Sequence, residues 1–311
     1  AIKDFMHPDR VVLGMATPRA EALLRELYRP LNLIETPILV TDWESAELIK
    51  YAANAFLATK ISFMNEIANF CEAVGADVDK VRIGMGSDSR IGKRFLFPGI
   101  GYGGSCFPKD TRALLACAQQ HGMPLPLVAA TENINQQQKL LLLSKLLSHF
   151  GLSLAQPASL TGKTVAIWGL AFKPETDDVR EAPALQLIVE LVTRGAQVRV
   201  SDPVANARAA EALQPLLGSA ASAVTYFDDA YAAASGSDAL CLCTEWRQFR
   251  QPNFRRLSKL LRGQVVFDGR NIWGSPFGLM VDIRAYRQNY ARTSGNSLSN
   301  TTRAYPVGQG G

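Results

Sequence analysis

The most constraining feature of the sequence is a helical pattern that runs without proline from Thr41 to Gly75. Apolar residues recur at every third or fourth position from Ile49 to Ala68, as they do on one face of an α-helix. Thr41 and Glu44 have the spacing of a capping box, and Gly75 is a typical residue just past a helix end. A helix of about 30 residues is about 45 Å long. We therefore expect it to join domains or to pair subunits.

The patterns on either side of this helix predict an α/β protein with several parts. Residues 1–40 have the pattern of the last strand–helix unit of a domain that begins earlier. Residues 41–151 are predicted to form a central helical domain that pairs subunits. Residues 160–288 are predicted to form a Rossmann-like domain with a doubly wound parallel sheet. Residues 289–311, rich in Ser, Asn, Thr and Gly, are predicted to be a flexible tail.

Local patterns place the elements inside these parts. A glycine-rich loop is predicted over residues 84–105, followed by helices that begin at Pro108 and at about Pro126. A helix is also predicted over residues 184–194. The predicted strands of the C-terminal sheet are residues 164–168, 197–201, 239–243 and 265–268.

Composition argues against several classes of protein. No apolar run reaches the roughly 18 residues that a membrane span needs. The first residues lack the charged and apolar regions of a secretory signal. We therefore expect a cytoplasmic protein with free thiols and no membrane partner. The net charge of +5 favours small anionic ligands over nucleic acid.

The five cysteines predict no metal site, because their number is odd and no CxxC pair occurs. Cys106 stands apart, because it follows a glycine-rich run and lies just before Pro108, a typical first-turn residue. Unpaired N–H groups and the helix dipole at such a position favour a thiolate, although the placement also fits a loop cysteine with no task. The other four lie in apolar segments and are predicted to pack as small core residues: Cys71, Cys117, Cys241 and Cys243.

Residues 99–104 match the G-x-G-x-x-G pattern but do not predict a dinucleotide site. That fingerprint directly follows a strand and opens a helix on its last glycine. Here Pro98 precedes the run, and the helix begins only at Pro108. We expect instead a loop whose missing side chains let the backbone approach a ligand or another chain. Residues 161–164 are not a phosphate-binding loop either, because Pro157 stands where its first glycine is required.

Three further polar residues are candidates for chemistry in the central domain. Lys50 and Asn54 lie four residues apart and share a helix face. Within an apolar stripe the Lys50–Asn54 pair needs a hydrogen-bonding partner. The exception is a Lys50 side chain that extends along the surface, so that its ammonium group reaches solvent. Asp110 lies in the first turn after Cys106, where a carboxylate either caps the helix or handles a water molecule.

Two cations follow strands of the predicted C-terminal sheet. Lys173 comes after the strand at residues 164–168, and Arg270 comes after the strand at residues 265–268. Ligands of such sheets bind at the carboxyl ends of the strands. Both side chains suit a diphosphate, and each is also consistent with a solvated loop charge.

Four segments together resemble the UDP-glucose/GDP-mannose dehydrogenase family. Residues 101–110 (GYGGSCFPKD) are similar to its active-site cysteine motif, and residues 47–54 (ELIKYAAN) to its central-helix signature. Residues 169–180 (GLAFKPETDDVR) and 267–272 (FDGRNI) resemble its C-terminal motifs. The segments occur in the family's order and span nearly the whole chain. Residues 244–246 (TEW) favour the UDP-glucose branch over the branches that use GDP-mannose or UDP-N-acetylmannosamine.

The resemblance implies a fold of two Rossmann-like domains joined by the long helix and paired as a homodimer or higher homo-oligomer. Residues 1–40 would be the remnant of the NAD-binding domain, and residues 160–288 would bind UDP. The family's nucleotide fingerprint and its glutamate acid/base are expected upstream of Ala1.

The resemblance also implies an activity, the NAD-dependent four-electron oxidation of UDP-glucose to UDP-glucuronate. Cys106 would form a thiohemiacetal and then a thioester, with Lys50 and Asn54 stabilising the oxyanion and Asp110 activating water. Cys106 and Arg180 are expected to contact NAD, and Arg90 is expected to reach the substrate of a neighbouring subunit. The expected substrate contacts besides Arg90 are Lys50, Asn54, Phe95, Phe97, Pro98, Gly99, Tyr102, Gly103, Phe172, Lys173 and Arg270.

Other functions remain open at this point. GDP-mannose or UDP-N-acetylmannosamine could replace UDP-glucose as the substrate. Hydroxyacid dehydrogenases also carry Lys and Asn four residues apart on a helix, but they need no cysteine. The chain could also be a UDP-sugar-binding and dimerisation module without turnover.

Overall fold

The computed structural model describes residues 5–32, 36–155, 159–273 and 280–282. The described chain begins with the predicted strand–helix–strand unit: β1 (Val11–Gly14), α1 (Pro18–Asn32) and β2 (Ile38–Thr41). β1 and β2 pair in parallel, with Val11 opposite Ile38. The predicted tail at residues 289–311 lies outside the described residues.

The long predicted helix is present as α2 (Trp43–Val74), whose 32 residues correspond to about 48 Å. Its N-cap is Asp42, whose side chain accepts a hydrogen bond from Ser45 N at 2.7 Å. The predicted cap at Thr41 was therefore wrong by one residue, because Thr41 is held in β2 and its carbonyl accepts a hydrogen bond from Met15 N. Gly75 ends the helix with φ +74°, as predicted.

The segment after α2 contains a helix that the sequence did not predict, and its last four residues fall in the predicted loop. α3 (Val78–Ser87) begins at Asp77, whose side chain accepts hydrogen bonds from the amides of Asp79 and Lys80. The loop therefore starts after Ser87, and the prediction that it begins at residue 84 was wrong. The N-cap outweighs the weak helix propensity of the glycines near the end of α3.

Two further helices complete the central domain. α4 (Phe107–Gln120) and α5 (Pro126–His149) each carry proline in their first turn, as predicted. Both pack against α2. The C-terminal half of α5 turns buried leucines toward the C-terminal domain, which joins the two cores: these are Leu142, Leu143, Leu146 and Leu147.

The C-terminal domain is a doubly wound sheet, which confirms the predicted fold class. Within the described residues the strand order is β5-β4-β3-β6-β7-β8, with the first five parallel and β8 antiparallel to β7. Its strands are β3 (Thr164–Trp168), β4 (Gln197–Ser201), β5 (Val224–Tyr226), β6 (Ala239–Leu242), β7 (Val265–Asp268) and β8 (Met280–Asp282). Its helices are α6 (Pro183–Thr193), α7 (Asn206–Leu217), α8 (Ala230–Ala234) and α9 (Phe254–Leu260).

The central strands of this sheet are covered on both faces, which explains why they are continuous apolar runs. One face packs against α5, α6 and α7, and the other carries a cluster around Trp168, Phe249 and Trp273. The loop that precedes α4 lies against the carboxyl end of β7, as the hydrogen bond from Ile100 N to Gly269 O at 3.0 Å shows.

Candidate active site

A buried carboxylate joins the long helix to the helix that follows Cys106. Asp110 is buried in the first turn of α4, and its Oδ2 accepts hydrogen bonds from Lys50 Nζ at 2.8 Å and Asn54 Nδ2 at 2.6 Å. Its Oδ1 accepts another from Lys109 Nζ at 2.7 Å. The structure thus brings together three residues that the sequence selected separately. It also supplies the partner that the Lys50–Asn54 pair requires.

The surroundings of Asp110 keep its carboxyl ionised. Burial by itself would raise its pKa, but hydrogen bonds from Lys109, Lys50 and Asn54 outweigh that effect and lower the pKa from 3.8 to about 2. The side chains of Lys50 and Lys109 are largely exposed. The cluster therefore presents two ammonium groups at the surface, held by a fixed anion beneath them.

Cys106 lies at the start of α4, as the sequence predicted, and its side chain is exposed. It occupies the N-cap position but makes no capping hydrogen bond, and its Sγ lies 3.8 Å from Ser105 Oγ. The free amides of the first helical turn and the helix dipole favour negative charge at this position. An exposed thiol near a Lys–Asn–Asp cluster is suited to nucleophilic chemistry.

The other cysteines divide into two groups. Cys71, Cys241 and Cys243 are buried, as predicted. Cys117 is exposed, so its prediction as a core residue was wrong. The second half of α4 lies largely at the surface, and the apolar composition of the segment did not reveal this.

An open cavity adjoins the polar face of α2. It has a volume of about 440 Å³ and is lined by Lys50, Asn54, Asp9 and Arg10, together with apolar side chains of α2 and β1. Asp9 and Arg10 were not among the residues predicted from the sequence. Lys50 and Asn54 therefore face space that a ligand can enter.

Residues 98–104, here called the glycine strap, are held by side-chain amides of α2 and α5. Asn65 Oδ1 accepts a hydrogen bond from Gly99 N at 2.8 Å. Asn135 Oδ1 accepts one from Tyr102 N at 2.8 Å, and its Nδ2 donates to Tyr102 O at 3.2 Å. Sequence analysis missed these amides. They could have been found as polar residues within otherwise apolar helices, because a buried amide requires hydrogen-bonding partners.

The glycines of the strap make room for atoms of this same chain. A Cβ on Gly103 would lie 2.3 Å from the carbonyl oxygen of Glu181, and one on Gly104 would lie 2.7 Å from the ring of Phe172. Gly104 also has φ +82°. We expected the missing side chains to admit a ligand or another chain. At these two positions the close neighbour is instead the C-terminal domain of the same chain.

Arg270, at the end of β7, is held in a fixed orientation. Its Nε donates a hydrogen bond to Cys243 O at 2.7 Å, and one terminal nitrogen donates to Phe172 O at 3.2 Å. Its Nε also lies 3.2 Å from a carboxylate oxygen of Glu245. Lys173 is exposed, with its ammonium 5.4 Å from the centre of the Phe172 ring. Of the two predicted cations, Arg270 is therefore anchored at its strand end and Lys173 is exposed.

A buried aspartate at the end of β4 organises the loop between β3 and Phe172. Asp202 Oδ2 accepts hydrogen bonds from Leu170 N at 2.7 Å and Trp246 Nε1 at 3.0 Å. Thr244 Oγ1 donates to Ala171 O at 2.6 Å. In a dinucleotide-binding sheet an acid at this place binds a ribose, whereas here the protein's own donors occupy it. Asp202 was not among the site residues predicted from the sequence, and residues 244–246 were singled out only by resemblance.

Arg180 lies in the turn that meets the glycine strap. Arg180 is exposed, and its guanidinium donates to both oxygens of Asp178, at 2.9 and 2.7 Å. Hydrogen bonds to Asp178 are the main cause of the raised pKa of Arg180, and the Cys106 thiol adds to it. The carbonyl of Arg180 accepts a hydrogen bond from Gly104 N at 2.8 Å. The predicted cofactor contact thus belongs to the turn that meets the strap two residues before Cys106.

The remaining predicted contacts belong to the glycine strap and the segment before it. Arg90 is exposed and ion-paired with Asp88. The rings of Phe95 and Phe107 meet edge to face at 6.1 Å, and the exposed ring of Phe97 lies 4.5 Å from the guanidinium of Arg82. The other four are buried in the strap: Pro98, Gly99, Tyr102 and Gly103.

No helix in the described ranges is both long and apolar enough to cross a membrane. In the same ranges, no group of three or more His, Cys, Asp or Glu side chains could hold a metal ion.

Comparison with known proteins gives consistent results. Residues 44–137 match the model of the UDP-glucose/GDP-mannose dehydrogenase family, central domain, and residues 166–275 match that of the same family's UDP binding domain. The chain is 48% identical over 273 residues to the UDP-glucose 6-dehydrogenase of Pseudomonas aeruginosa, covering 88% of this chain and 58% of that protein. It is 46% identical over 273 residues to the UDP-glucose 6-dehydrogenase TuaD of Bacillus subtilis, covering 88% and 56%.

The structure also resembles that of a UDP-glucose dehydrogenase from Pyrobaculum islandicum. The TM-score is 0.77 at 35% sequence identity, covering 89% of this chain and 59% of that one. The chain thus spans 56 to 59% of the length of these three relatives.

Proposed function

Because this chain belongs to the UDP-glucose/GDP-mannose dehydrogenase family, we propose that it oxidises UDP-glucose at C6 to UDP-glucuronate with NAD as oxidant. The observation that carries the proposal is the site itself. An exposed thiol stands at the start of α4, and the buried Asp110 of the same first turn holds Lys50 and Asn54. A nucleophile, two hydrogen-bond donors and a carboxylate are groups that suit a covalent route from an aldehyde to an acid.

The described residues fit NAD at one point. NAD, when bound, accepts the hydrides released by the oxidation. The exposed guanidinium of Arg180 is suited to its phosphates. The glycine strap is not suited to them, because Asn65, Asn135 and the C-terminal domain already occupy its backbone and its open sides.

The thiol explains how one site carries out two successive oxidations. After the C6 alcohol has lost a hydride and a proton, the Cys106 thiolate adds to the carbonyl carbon of the aldehyde. The oxyanion that forms takes up a proton, which gives a thiohemiacetal. Loss of a second hydride and a proton converts it into a thioester on Cys106. Water then attacks the thioester carbon, and the carbon–sulfur bond breaks to release the carboxylate and the thiol.

The Asp110 cluster would serve each of these steps. The Lys50 ammonium and the Asn54 amide can donate hydrogen bonds to the substrate oxygen that becomes negatively charged. Asp110 holds both donors in place at 2.8 and 2.6 Å. In the last step Asp110, with Lys50, would orient and activate the attacking water. With a pKa of about 2, the Asp110 carboxyl is an anion near neutral pH, so it can accept a hydrogen bond from the water that it orients.

UDP would bind at the carboxyl ends of β3 and β7. There Lys173 is exposed and Arg270 is anchored, so two cations face the place where such sheets bind ligands. The strap and the segment before it would cover the nucleotide sugar with Phe95, Phe97 and Tyr102. Relatives named UDP-glucose 6-dehydrogenase, together with residues 244–246, support UDP-glucose over GDP-mannose or UDP-N-acetylmannosamine.

Two copies of the chain would pair along α2. Phe56, Phe63 and Phe70 are exposed and spaced by seven residues, so they lie on one face of the helix. Large apolar side chains in such a row favour burial against another protein. A homodimer or higher homo-oligomer would bury them. In such an assembly the exposed Arg90 would reach a neighbouring subunit's substrate.

The decisive experiment replaces Cys106 by Ser in the longest protein that the gene encodes, here called the full-length protein. Wild type should produce NADH and UDP-glucuronate from UDP-glucose, and Cys106→Ser should form no acid. Cys117→Ser is the matched control, because Cys117 is the other exposed cysteine on α4, and it should retain wild-type turnover. Acid formation by Cys106→Ser at the wild-type rate would refute the role of the thiol.

The same assay with GDP-mannose and UDP-N-acetylmannosamine identifies the substrate. Applied to the 311-residue chain by itself, it also distinguishes an enzyme from a binding module. Binding of UDP-glucose by this chain without NADH formation would favour the module.

A further inference from the structure

A network of charged side chains crosses the seam between the helix of Cys106 and the C-terminal domain. Glu181 lies in the turn before α6, and Arg112 of α4 donates to its two carboxylate oxygens at 3.0 and 3.2 Å. Lys139 of α5 donates to Glu181 Oε2 at 3.1 Å. One carboxylate therefore connects three elements from two domains.

Because Lys139 is buried, separating Glu181 from it is energetically costly. Its side chain is only 3% exposed, and Glu181 is the carboxylate that compensates its charge. If the turn moved away, the Lys139 ammonium would remain buried without this partner. Breaking a buried ion pair by removing one member is strongly destabilising. The contact of α4 and α5 with the turn before α6 is thus favoured by electrostatics as well as by packing.

The backbone of the turn fits the strap closely at the same point. Glu181 has φ +53°, a conformation that residues other than glycine rarely adopt. Its carbonyl oxygen lies against Gly103, where a Cβ would come within 2.3 Å. The preceding carbonyl, that of Arg180, accepts the hydrogen bond from Gly104 N at 2.8 Å. An unfavourable local conformation persists only where its surroundings hold it.

From these contacts we propose that Glu181 is a positioning residue for the proposed reaction. By tying its turn to Arg112 and Lys139, it holds the neighbouring Arg180, whose carbonyl accepts the hydrogen bond from Gly104 N, against the strap that leads to Cys106. The inference rests on the proposed function, since Arg180 matters only if Cys106 reacts. A guanidinium held there would meet the phosphates of the cofactor as they approach the thiol.

The test measures how fast the Cys106 thiol reacts with iodoacetamide, a neutral reagent, between pH 6 and 10. The full-length protein is used without substrate, and alkylation is followed on the Cys106 peptide by mass spectrometry, so that Cys117 does not interfere. Four charged groups surround this part of the site: Lys109 and Asp110 of α4, Lys50 of α2 and Arg180 of the turn. Arg180 is the one that belongs to the same turn as Glu181.

In Glu181→Gln, alkylation at pH 7 should slow by about three- to tenfold, because the cation of Arg180 is no longer held against the strap that leads to the thiol. Arg180→Gln should slow alkylation to the same extent, and combining the two should add little. Arg112→Gln, which loosens the turn from the other side, should change the rate in the same direction. KM for NAD should rise with a smaller change in kcat.

The matched control is Glu190→Gln on α6. Glu190 also pairs with an arginine, Arg194, and its 32% exposure is close to the 39% of Glu181. In Glu190→Gln, Cys106 should be alkylated at the wild-type rate at every pH. A folded Glu181→Gln protein with the wild-type alkylation rate would overturn the inference while leaving the role of Cys106 intact. If Cys106→Ser remains active, the proposed function fails instead.

Discussion

Gly104 offers a sharp test of the contact between the strap and the C-terminal domain. Its φ is +82°, and a Cβ would lie 2.7 to 2.9 Å from three atoms of the Phe172 ring. Gly162 has nearly the same φ, +79°, but nothing lies within 4 Å of its Cβ position. Alanine at either site therefore adopts the same unfavourable backbone conformation, and only Gly104→Ala also meets an obstacle.

The expected losses of stability follow from the backbone conformation and from the contact with the Phe172 ring. A left-handed conformation costs an L-residue about 1–2 kcal/mol, and loss of glycine's freedom in the unfolded chain offsets about 0.4–1 kcal/mol of it. Gly162→Ala should thus lower the free energy of unfolding by about 1 kcal/mol. Gly104→Ala should cost about 1–3 kcal/mol more, as expected for overpacking a filled site. Urea unfolding of the 311-residue chain measures both.

Gly104→Ala and Gly162→Ala should also differ in their affinity for UDP-glucose. Gly104→Ala displaces the Phe172 ring and its neighbour Lys173, so it should weaken binding of UDP-glucose, measured by calorimetry. Gly162→Ala should leave the affinity unchanged. Adding Phe172→Leu to Gly104→Ala should recover part of the lost stability, because the smaller side chain relieves the contact. Equal destabilisation by Gly104→Ala and Gly162→Ala would refute the close approach.

Two further predictions concern the Asp110 cluster and α2. The lowered pKa of Asp110, about 2 against 3.8, stabilises the folded state above about pH 4, and this contribution is lost as the pH falls from about 4 to 2. Asp110→Asn should therefore lower the free energy of unfolding at pH 7 by about 1–2 kcal/mol, allowing for solvent screening of the exposed lysines. Urea unfolding at a series of pH values should show that the difference in free energy of unfolding between wild type and Asp110→Asn becomes smaller toward pH 3. A difference that does not change with pH would contradict the ionic origin of this stabilisation. Phe63→Glu on the exposed face of α2 should convert the proposed dimer into monomers in size-exclusion chromatography with light scattering, whereas a matched change at exposed Leu216 of α7 should not.

Much of the fold could be predicted because its determinants are local. β3 and β7 have the predicted bounds, since strands buried on both faces are short unbroken apolar runs. The long helix was evident from its periodicity, and so was the shared face of Lys50 and Asn54. The error at Thr41 arose because two adjacent residues could both cap the helix. The choice depended on Thr41 being held in β2.

The parts that sequence reasoning missed depend on contacts between distant segments. Asp110 meets Lys50 across 60 positions of the chain, and Glu181 meets Arg112 across 69. No local pattern distinguishes these carboxylates from ordinary surface acids. The glycine run illustrates the same limit. Its composition predicted a close approach, but only the structure shows that Phe172 and the Glu181 carbonyl are what it approaches.

The proposed covalent step at Cys106 can be tested directly by trapping the thioester. The full-length Asp110→Asn protein, mixed with UDP-glucose and NAD and quenched in acid, should carry a UDP-glucuronyl group on the Cys106 peptide in mass spectrometry. The group should accumulate because hydrolysis is slowed, and it should be absent from the Asp110→Asn/Cys106→Ser protein. An unmodified Cys106 peptide in a sample that has released UDP-glucuronate would contradict the account.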